Sequence, residues 1–311
     1  MRSDITIGAA FPDCELPDHV GKPRLASRGR GPRPGRALRS IMYRAHARAW
    51  LSEFAGTTIL LFAAALTARW LDGPHSALAS AVPAAPGRTA ITGVVIGVVV
   101  GLLIISPLGH SSGGHFNPAV TVTFWLLRAL PGRDATAYVA AQLAGSLAGV
   151  VLARTVLGAV IADPAVDYAG IQPAAGWSGG AVFAGEAISL AVLMTFVIAF
   201  LGRPTLLRWT PAVVATGVAV LIFAGAFTSG GSFNPARQLG PLLFAERYSY
   251  LWAYLLGPLG GAVILAVLVN GLGLPRPLTC DPCGTPPREA APRIIGPPRV
   301  GSTAGSTAPF R

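Results

Sequence analysis

Charged residues are scarce in this chain of 311 residues: they make up 12% of it, whereas hydrophobic residues make up 52%. A soluble domain of ordinary composition carries about 25% charged residues. The mean hydropathy of +0.57 reflects the same deficit. The composition therefore excludes an ordinary soluble protein and predicts a polytopic membrane protein.

Acidic residues are the scarcer charge, with 13 Asp and Glu against 24 Lys and Arg, which gives a formal net charge of +11. A basic balance of this size is one mark of a nucleic-acid-binding protein. Here, however, the arginines lie in the terminal segments and short loops, without interleaved aromatic residues. We therefore expect these charges to act at the surface of a lipid bilayer, and we expect no nucleic-acid partner.

Cysteine is also scarce, since only Cys14, Cys280 and Cys283 occur, all outside the apolar region. No disulfide framework follows from them. The CxxC formed by Cys280 and Cys283 lacks a second pair or a nearby histidine, which favours an inert tail over a metal or redox site. The five histidines show no ligand spacing with Cys or Asp, so no metal is expected. Common enzyme motifs such as the nucleophile elbow, HExxH and the phosphate loop are missing too, so we expect no enzyme.

Long apolar runs are what the sequence does contain. A helix needs roughly 20 apolar residues to cross about 30 Å of hydrocarbon. Six stretches approach that length, and they lie at roughly 49–71, 89–108, 134–160, 180–202, 210–228 and 250–273. The Arg-, Pro- and Gly-rich ends, 1–45 and 275–311, are predicted to be disordered tails. They flank a membrane domain over 46–274.

One short motif occurs twice within this domain. Asn117 and Asn234 lie 117 positions apart and each begins Asn-Pro-Ala, giving Asn117-Pro118-Ala119 and Asn234-Pro235-Ala236. Asn is a preferred N-cap residue and Pro is favoured at the first helical position. The segments that follow, Val120–Leu130 and Gln238–Ala245, are too short to span a bilayer. We therefore predict two re-entrant half-helices.

The repeat also predicts the topology. Three spans and one half-helix make repeat one, at about 49–160, and the same set makes repeat two, at about 180–273. An odd number of spans inverts the second copy relative to the first. The two half-helices then enter from opposite faces and bring their positive N-terminal ends together at the midplane. That field repels cations and protons, and the asparagine amides are expected to face the lumen.

The residues around both motifs resemble the signatures of the aquaporin, or major intrinsic protein, family. His110–Thr121 is similar to the first signature, and Thr228–Arg237 followed by Leu239-Gly240-Pro241 is similar to the second. The likeness covers about residues 48–273. It implies an all-α channel domain with six spanning helices and two half-helices, a homotetramer, no cofactor, and passage of water or small neutral solutes.

The resemblance also implies an outer constriction. Arg237 takes the place of the family's constriction arginine, and a charge within a membrane segment is costly and usually lines a cavity. Gly231 and Ile222 take two further places by spacing. The fourth falls on Gly97 by ungapped counting or on Ile96 with one inserted residue, and we prefer Ile96. A ring of this composition is wider and more apolar than a water-only filter.

Two carboxylates and two histidines lie near the pore loops. Glu53 and Glu186 are intramembrane carboxylates. As bare carboxylates they suggest a proton relay, whereas the resemblance favours structural support of each pore loop. His115 is expected to brace its loop and His110 to face the inner vestibule.

The balance of positive charge predicts the orientation. With both termini in the cytoplasm, the inner side carries both tails and the loop arginines Arg128, Arg133, Arg203 and Arg208. We thus expect a multi-pass protein of the cell membrane that conducts water and small uncharged solutes. The alternatives are a glycerol or metalloid facilitator with low water flux and, from another class, a secondary transporter, which also uses inverted repeats.

Overall fold

Helices account for all the regular structure in residues 36–273, the part of the chain described by the computed structural model. The eight principal helices are α1 Arg36–Leu71, α2 Ala85–Ile105, α3 Pro118–Leu126, α4 Gly132–Leu157, α5 Gly179–Leu201, α6 Thr210–Gly225, α7 Pro235–Phe244 and α8 Leu251–Gly271. Short helical turns at Ala77–Ala81 and Pro107–Ser112 lie in the connections.

Six of these helices are long and apolar enough to cross a membrane. They are α1, α2, α4, α5, α6 and α8, so the predicted all-α fold is confirmed. One boundary was wrong: α1 begins at Arg36, so residues 36–45, predicted as the end of a tail, are helical. The remainder of the predicted tails, with Cys14, Cys280 and Cys283, lies outside the described residues.

The two short helices α3 and α7 begin at the Asn-Pro-Ala motifs. The side-chain oxygen of Asn117 accepts the N–H of Ala119 at 2.9 Å, and that of Asn234 accepts the N–H of Ala236 at 3.0 Å. Each asparagine is thus an N-cap, with proline at the first position. The helices have nine and ten residues, so neither can span a bilayer. The first ends at Leu126, earlier than the predicted Leu130.

Small residues let the long helices approach closely at equivalent places in the two repeats. A Cβ atom added at Gly145 of α4 would lie 2.5 Å from the carbonyl oxygen of Phe54 in α1. One added at Gly261 of α8 would lie 2.2 Å from the carbonyl oxygen of Ala187 in α5. Only glycine fits at such contacts, which are typical of helix pairs in membranes.

Each half-helix packs against a spanning helix of the other repeat. The first half-helix, α3, packs against α8 of the second repeat, and the second, α7, packs against α4 of the first. Each motif is therefore held between helices from both halves of the chain. This exchange brings the two asparagines to one place at the centre of the domain.

Candidate functional site

The two asparagine tips contact each other's loops. The amide nitrogen of Asn117 donates to the carbonyl oxygen of Phe233, and that of Asn234 donates to the carbonyl oxygen of Phe116, both at 3.0 Å. The expectation that each NH₂ group is left free for the lumen is therefore wrong for one of its two hydrogens. That hydrogen is used across the repeat interface, and each asparagine amide has one further N–H.

A buried carboxyl group holds the first pore loop. Glu53, which is fully buried, accepts the backbone N–H of His115 at 3.0 Å and of Phe116 at 2.7 Å. It also accepts the hydroxyl of Ser112 at 2.6 Å and the side-chain amide of Gln142 at 2.7 Å. All four neighbours are donors, so the geometry is that of a clamp on the loop backbone.

The second pore loop has an equivalent clamp. Glu186, also fully buried, accepts the hydroxyl of Ser229 at 2.7 Å and the N–H of Ser232 at 3.1 Å. It accepts the N–H of Phe233 as well. The correspondence with Glu53 follows the repeat, because Ser229, Ser232 and Phe233 each lie 117 positions after their counterparts in the first loop.

The clamps stabilise an unfavourable backbone. Phe116 and Phe233, each just before an asparagine, have positive φ angles of 46° and 38°. Bulky residues rarely adopt this region, and a conformation of this kind costs about 1–3 kcal/mol. The strain is sustained because a carboxyl group fixes the N–H of each phenylalanine. The carbonyls of the same two residues are thereby aimed at the opposite asparagine.

A cavity of about 330 Å³ lies next to the paired motifs. Predicted site residues in its wall are Ile96, His115, Asn117, Ile222, Gly231, Asn234 and Arg237. Gly97 does not line it; a Cβ atom there would lie 2.3 Å from the carbonyl oxygen of Ala215 in α6. The structure thus assigns Ile96 to the wall and Gly97 to the contact between α2 and α6.

Gly231 and Arg237 shape the cavity in different ways. Gly231 has a φ of +72°, and a Cβ atom there would lie 2.8 Å from the carbonyl oxygen of Leu221. Glycine is therefore required, because it lets the second pore loop approach the backbone of α6 at Leu221 and Ile222. The Nη1 atom of Arg237 is buried without a hydrogen-bond partner among the described residues. An unpaired donor of this kind is costly unless a ligand or solvent satisfies it.

A buried glutamine that was not predicted as a site residue positions the loop that contains Ile171. Gln238, fully buried in α7, accepts the N–H of Ile171 at 3.2 Å and donates to its carbonyl oxygen at 3.0 Å. This reciprocal pair holds Ile171 and Gln172 in the cavity wall next to Arg237. A buried amide on an apolar half-helix was the available signal, but the sequence did not show its partner.

An ion pair at the cavity wall was also missed. The Nε atom of Arg88 lies 3.1 Å from a carboxylate oxygen of Asp72, and both residues line the cavity. Asp72 follows the end of α1 and Arg88 lies at the start of α2. Burial raises the pKa of the Asp72 carboxyl, and the charge of Arg88 partly opposes that shift.

A second cavity of about 320 Å³ continues on the other side of the motifs. It shares wall residues with the first, namely Val100, His115, Val120, Leu193 and Val214. His110 lies in its wall, where the sequence predicted an inner vestibule. His115 bonds to the hydroxyl of Thr121 through Nδ1 at 3.1 Å and stacks on Phe124 at 4.7 Å. Its ring is therefore fixed against α3.

The fold and this arrangement define a multi-pass membrane protein with an inverted repeat and a lined cavity between the halves. A family model described as "Major intrinsic protein" matches residues 40–269 of the chain. Because that match covers most of the chain, the chain belongs to the major intrinsic protein family. Among residues 36–273, no cluster of three or more His, Cys, Asp or Glu residues is arranged to hold a metal ion.

Individual relatives agree with this assignment. "Probable aquaporin NIP4-2" from Arabidopsis thaliana is 36% identical over 54% of this chain and 57% of its own length. "Glycerol uptake facilitator protein-like 6" from Lactiplantibacillus plantarum is 28% identical over 73% of this chain and 98% of its own. The X-ray structure of the aquaglyceroporin from Plasmodium falciparum superposes with a TM-score of 0.62 at 20% identity, covering 74% of this chain and 98% of that one.

Proposed function

We propose that this chain is a passive transmembrane channel for water and small uncharged solutes. One observation carries the proposal: two helix-capping asparagines, each with a second amide N–H, line one cavity with an arginine whose Nη1 has no hydrogen-bond partner among the described residues. These N–H groups can donate hydrogen bonds to the oxygen of a neutral molecule. Apolar residues such as Ile96, Val218 and Ile222 make up much of the remaining wall.

The same geometry supports exclusion of cations and protons. The N-terminal ends of α3 and α7 each carry about half a positive charge, and they face each other at the paired asparagines. Arg237 adds a full charge in the same cavity. A cation that loses its hydration shell beside the asparagines meets N–H donors and a positive potential there. The central barrier is thus assigned to Asn117, Asn234 and their helices.

The composition of the constriction supports the passage of solutes larger than water. Ile96, Ile222 and Gly231 leave an apolar, side-chain-poor wall around Arg237, and pore width and polarity govern selectivity. The name of one relative refers to glycerol uptake. A glycerol or metalloid-hydroxide facilitator with low water flux is therefore the second candidate.

A secondary transporter is disfavoured by the two clamps. Ion coupling needs a carboxylate that can exchange its partners. Glu53 and Glu186 are surrounded by backbone and side-chain donors of the pore loops, so we assign them to loop support, with His115 bracing α3. A protonophore separates the two mechanisms, because it stops proton-coupled uptake and leaves passive flux unchanged.

Stopped-flow light scattering on proteoliposomes tests the proposal. Shrinkage in an impermeant osmolyte measures water flux, and re-swelling in glycerol, urea or boric acid measures solute flux. We expect flux well above that of empty vesicles, without proton leak. Vesicles that contain folded protein yet match empty ones would refute a channel.

The Arg237→Ala variant tests the constriction. Removing the guanidinium widens the cavity, so the glycerol-to-water permeability ratio should rise and exclusion of small cations should weaken. Arg154→Ala is the matched control, because Arg154 is exposed and bonds to the hydroxyl of Tyr168 outside the cavity. Equal behaviour of the two variants would contradict the role of Arg237.

Assembly and orientation complete the proposal. The protein is a homotetramer in the cell membrane, with both termini in the cytoplasm and one pore in each subunit. The loop arginines support this orientation, and the tetramer is what the resemblance to the family implies. Cross-linking in native membranes should give a ladder that ends at four subunits, and protease added to right-side-out vesicles should spare both termini.

A further inference from the structure

A side chain from the first repeat enters the backbone hydrogen bonding of the second half-helix. Ser146 of α4 donates its hydroxyl hydrogen to the carbonyl oxygen of Ala236 and accepts the N–H of Gly240 at 2.9 Å. In a regular α-helix these two groups, four residues apart, bond to each other directly. The hydroxyl therefore bridges one bond of the α7 ladder from outside the helix.

The next bond of the same ladder has no donor. The carbonyl of Arg237 would normally accept the N–H of residue 241, which is a proline inside α7. Proline has no N–H, so this bond cannot form. The backbone hydrogen bonding of α7 thus differs from that of a regular helix at two successive positions, and insertion of a side chain or a proline is a known cause of helix bending. The interruption falls at Arg237.

Close approach of the two helices makes the bridge possible. Ser146 is fully buried, and a Cβ atom added at Gly240 would lie 2.7 Å from its carbonyl oxygen and 2.8 Å from its Oγ. Any larger residue at 240 would push α4 and α7 apart. The bridge therefore depends on the glycine as well as on the serine.

The first half-helix is built differently. In α3 the carbonyl corresponding to that of Ala236 belongs to Ala119, and it accepts the hydroxyl of Thr123 from the same helix at 2.8 Å. Phe124 lies where α7 has its proline. The bridge from a neighbouring helix is thus found on the half-helix that carries the cavity arginine.

We propose that Ser146 is a positioning residue for Arg237. By bridging the α7 backbone at the turn that carries Arg237, it sets the height and direction of the guanidinium in the cavity. It acts through the backbone and does not line the described cavities itself. The inference rests on the proposed function, because it assumes that the placement of Arg237 governs which solutes pass.

The Ser146→Ala variant tests the inference in the full-length protein. It removes the hydroxyl and allows Gly240 and Ala236 to bond directly, so the fold is retained while α7 tightens. We expect the glycerol-to-water permeability ratio to change by about twofold or more, the lower limit for residues coupled through one network. Thr155→Val is the control on the same helix, since Thr155 is exposed and its hydroxyl donates to the carbonyl of Val151, one turn earlier in the helix.

A double-mutant cycle separates positioning from general destabilisation. In an Arg237→Ala background, Ser146→Ala should have no further effect on the permeability ratio. An equal effect in both backgrounds, or an unchanged ratio in the single variant, would overturn the inference. If Ser146→Ala does not fold, Pro241→Ala, which restores an N–H to the ladder, takes its place with the same expected dependence on Arg237.

The outcomes for the two proposals are distinct. If wild-type vesicles conduct and Arg237→Ala alters selectivity while Ser146→Ala does not, the inference fails and the proposed function stands. If folded wild-type protein conducts neither water nor glycerol, the proposed function itself fails.

Discussion

Glu186 offers the sharpest perturbation of the second pore loop. Its two carboxyl oxygens accept the hydroxyl of Ser229 and the backbone N–H groups of Ser232 and Phe233. A Glu186→Gln substitution keeps the size of the side chain but turns one acceptor into an NH₂ donor. Whichever way the amide is oriented, at least one buried backbone N–H then faces a donor.

The magnitude follows from that lost acceptor. A buried donor left without a partner costs about 1–3 kcal/mol. For a chain of 150–250 ordered residues, about 2 kcal/mol lowers the melting temperature by roughly 4–8 °C. Water flux should fall as well, because Phe233 directly precedes Asn234 and its carbonyl accepts the amide of Asn117.

Intrinsic tryptophan fluorescence on the detergent-solubilised protein measures the melting temperature. Glu246→Gln is the control, since Glu246 is an exposed glutamate at the end of α7 and should melt like wild type. A Glu186→Gln variant with the melting temperature and flux of wild type would refute the clamp.

Three further predictions follow. Asn117→Asp or Asn234→Asp removes the amide N–H that crosses the repeats and adds a carboxylate at the pore centre, so water flux should fall sharply; normal flux would contradict the central barrier. Gly97→Val should lower the melting temperature, whereas Ile96→Ala should mainly raise the glycerol-to-water ratio, and the reverse pattern would exchange their assignments. Because burial raises the pKa of Asp72, the folded state holds this proton to higher pH than the unfolded state, so stability from this group increases as the pH falls. The melting temperature of wild type, relative to that of Asp72→Asn, should therefore increase as the pH is lowered. A difference between the two proteins that does not change with pH would contradict this prediction.

Several elements of the fold were predictable because their signals are local. Apolar length alone predicted six spans, and all six appear in the structure. Asn followed by Pro predicted the starts of α3 and α7, since capping depends on the next few backbone N–H groups. The start of α1 was predicted too late, because the Arg-rich composition before residue 46 was interpreted as a tail although arginine also favours helices.

Other features of the site depend on residues far apart in the chain. Gln238 and Ile171 are separated by 67 positions, and Ser146 and Gly240 by 94. Neither pairing leaves a periodic or compositional trace. Ile96 and Gly97 are neighbours whose directions on a helix differ by about 100°, so only the rotation of α2 against α6 decides which of them lines the cavity.

The sequence by itself determined the membrane class, the inverted repeat and the two capped half-helices. Each of these depends on hydropathy over one span or on hydrogen bonds within one turn. The tertiary structure alone decided which donors Glu53 and Glu186 bind, that the asparagine amides cross between repeats, and which side chains surround Arg237. Those contacts arise when helices from both repeats pack together, and that packing depends on the shapes of surfaces which no single segment contains.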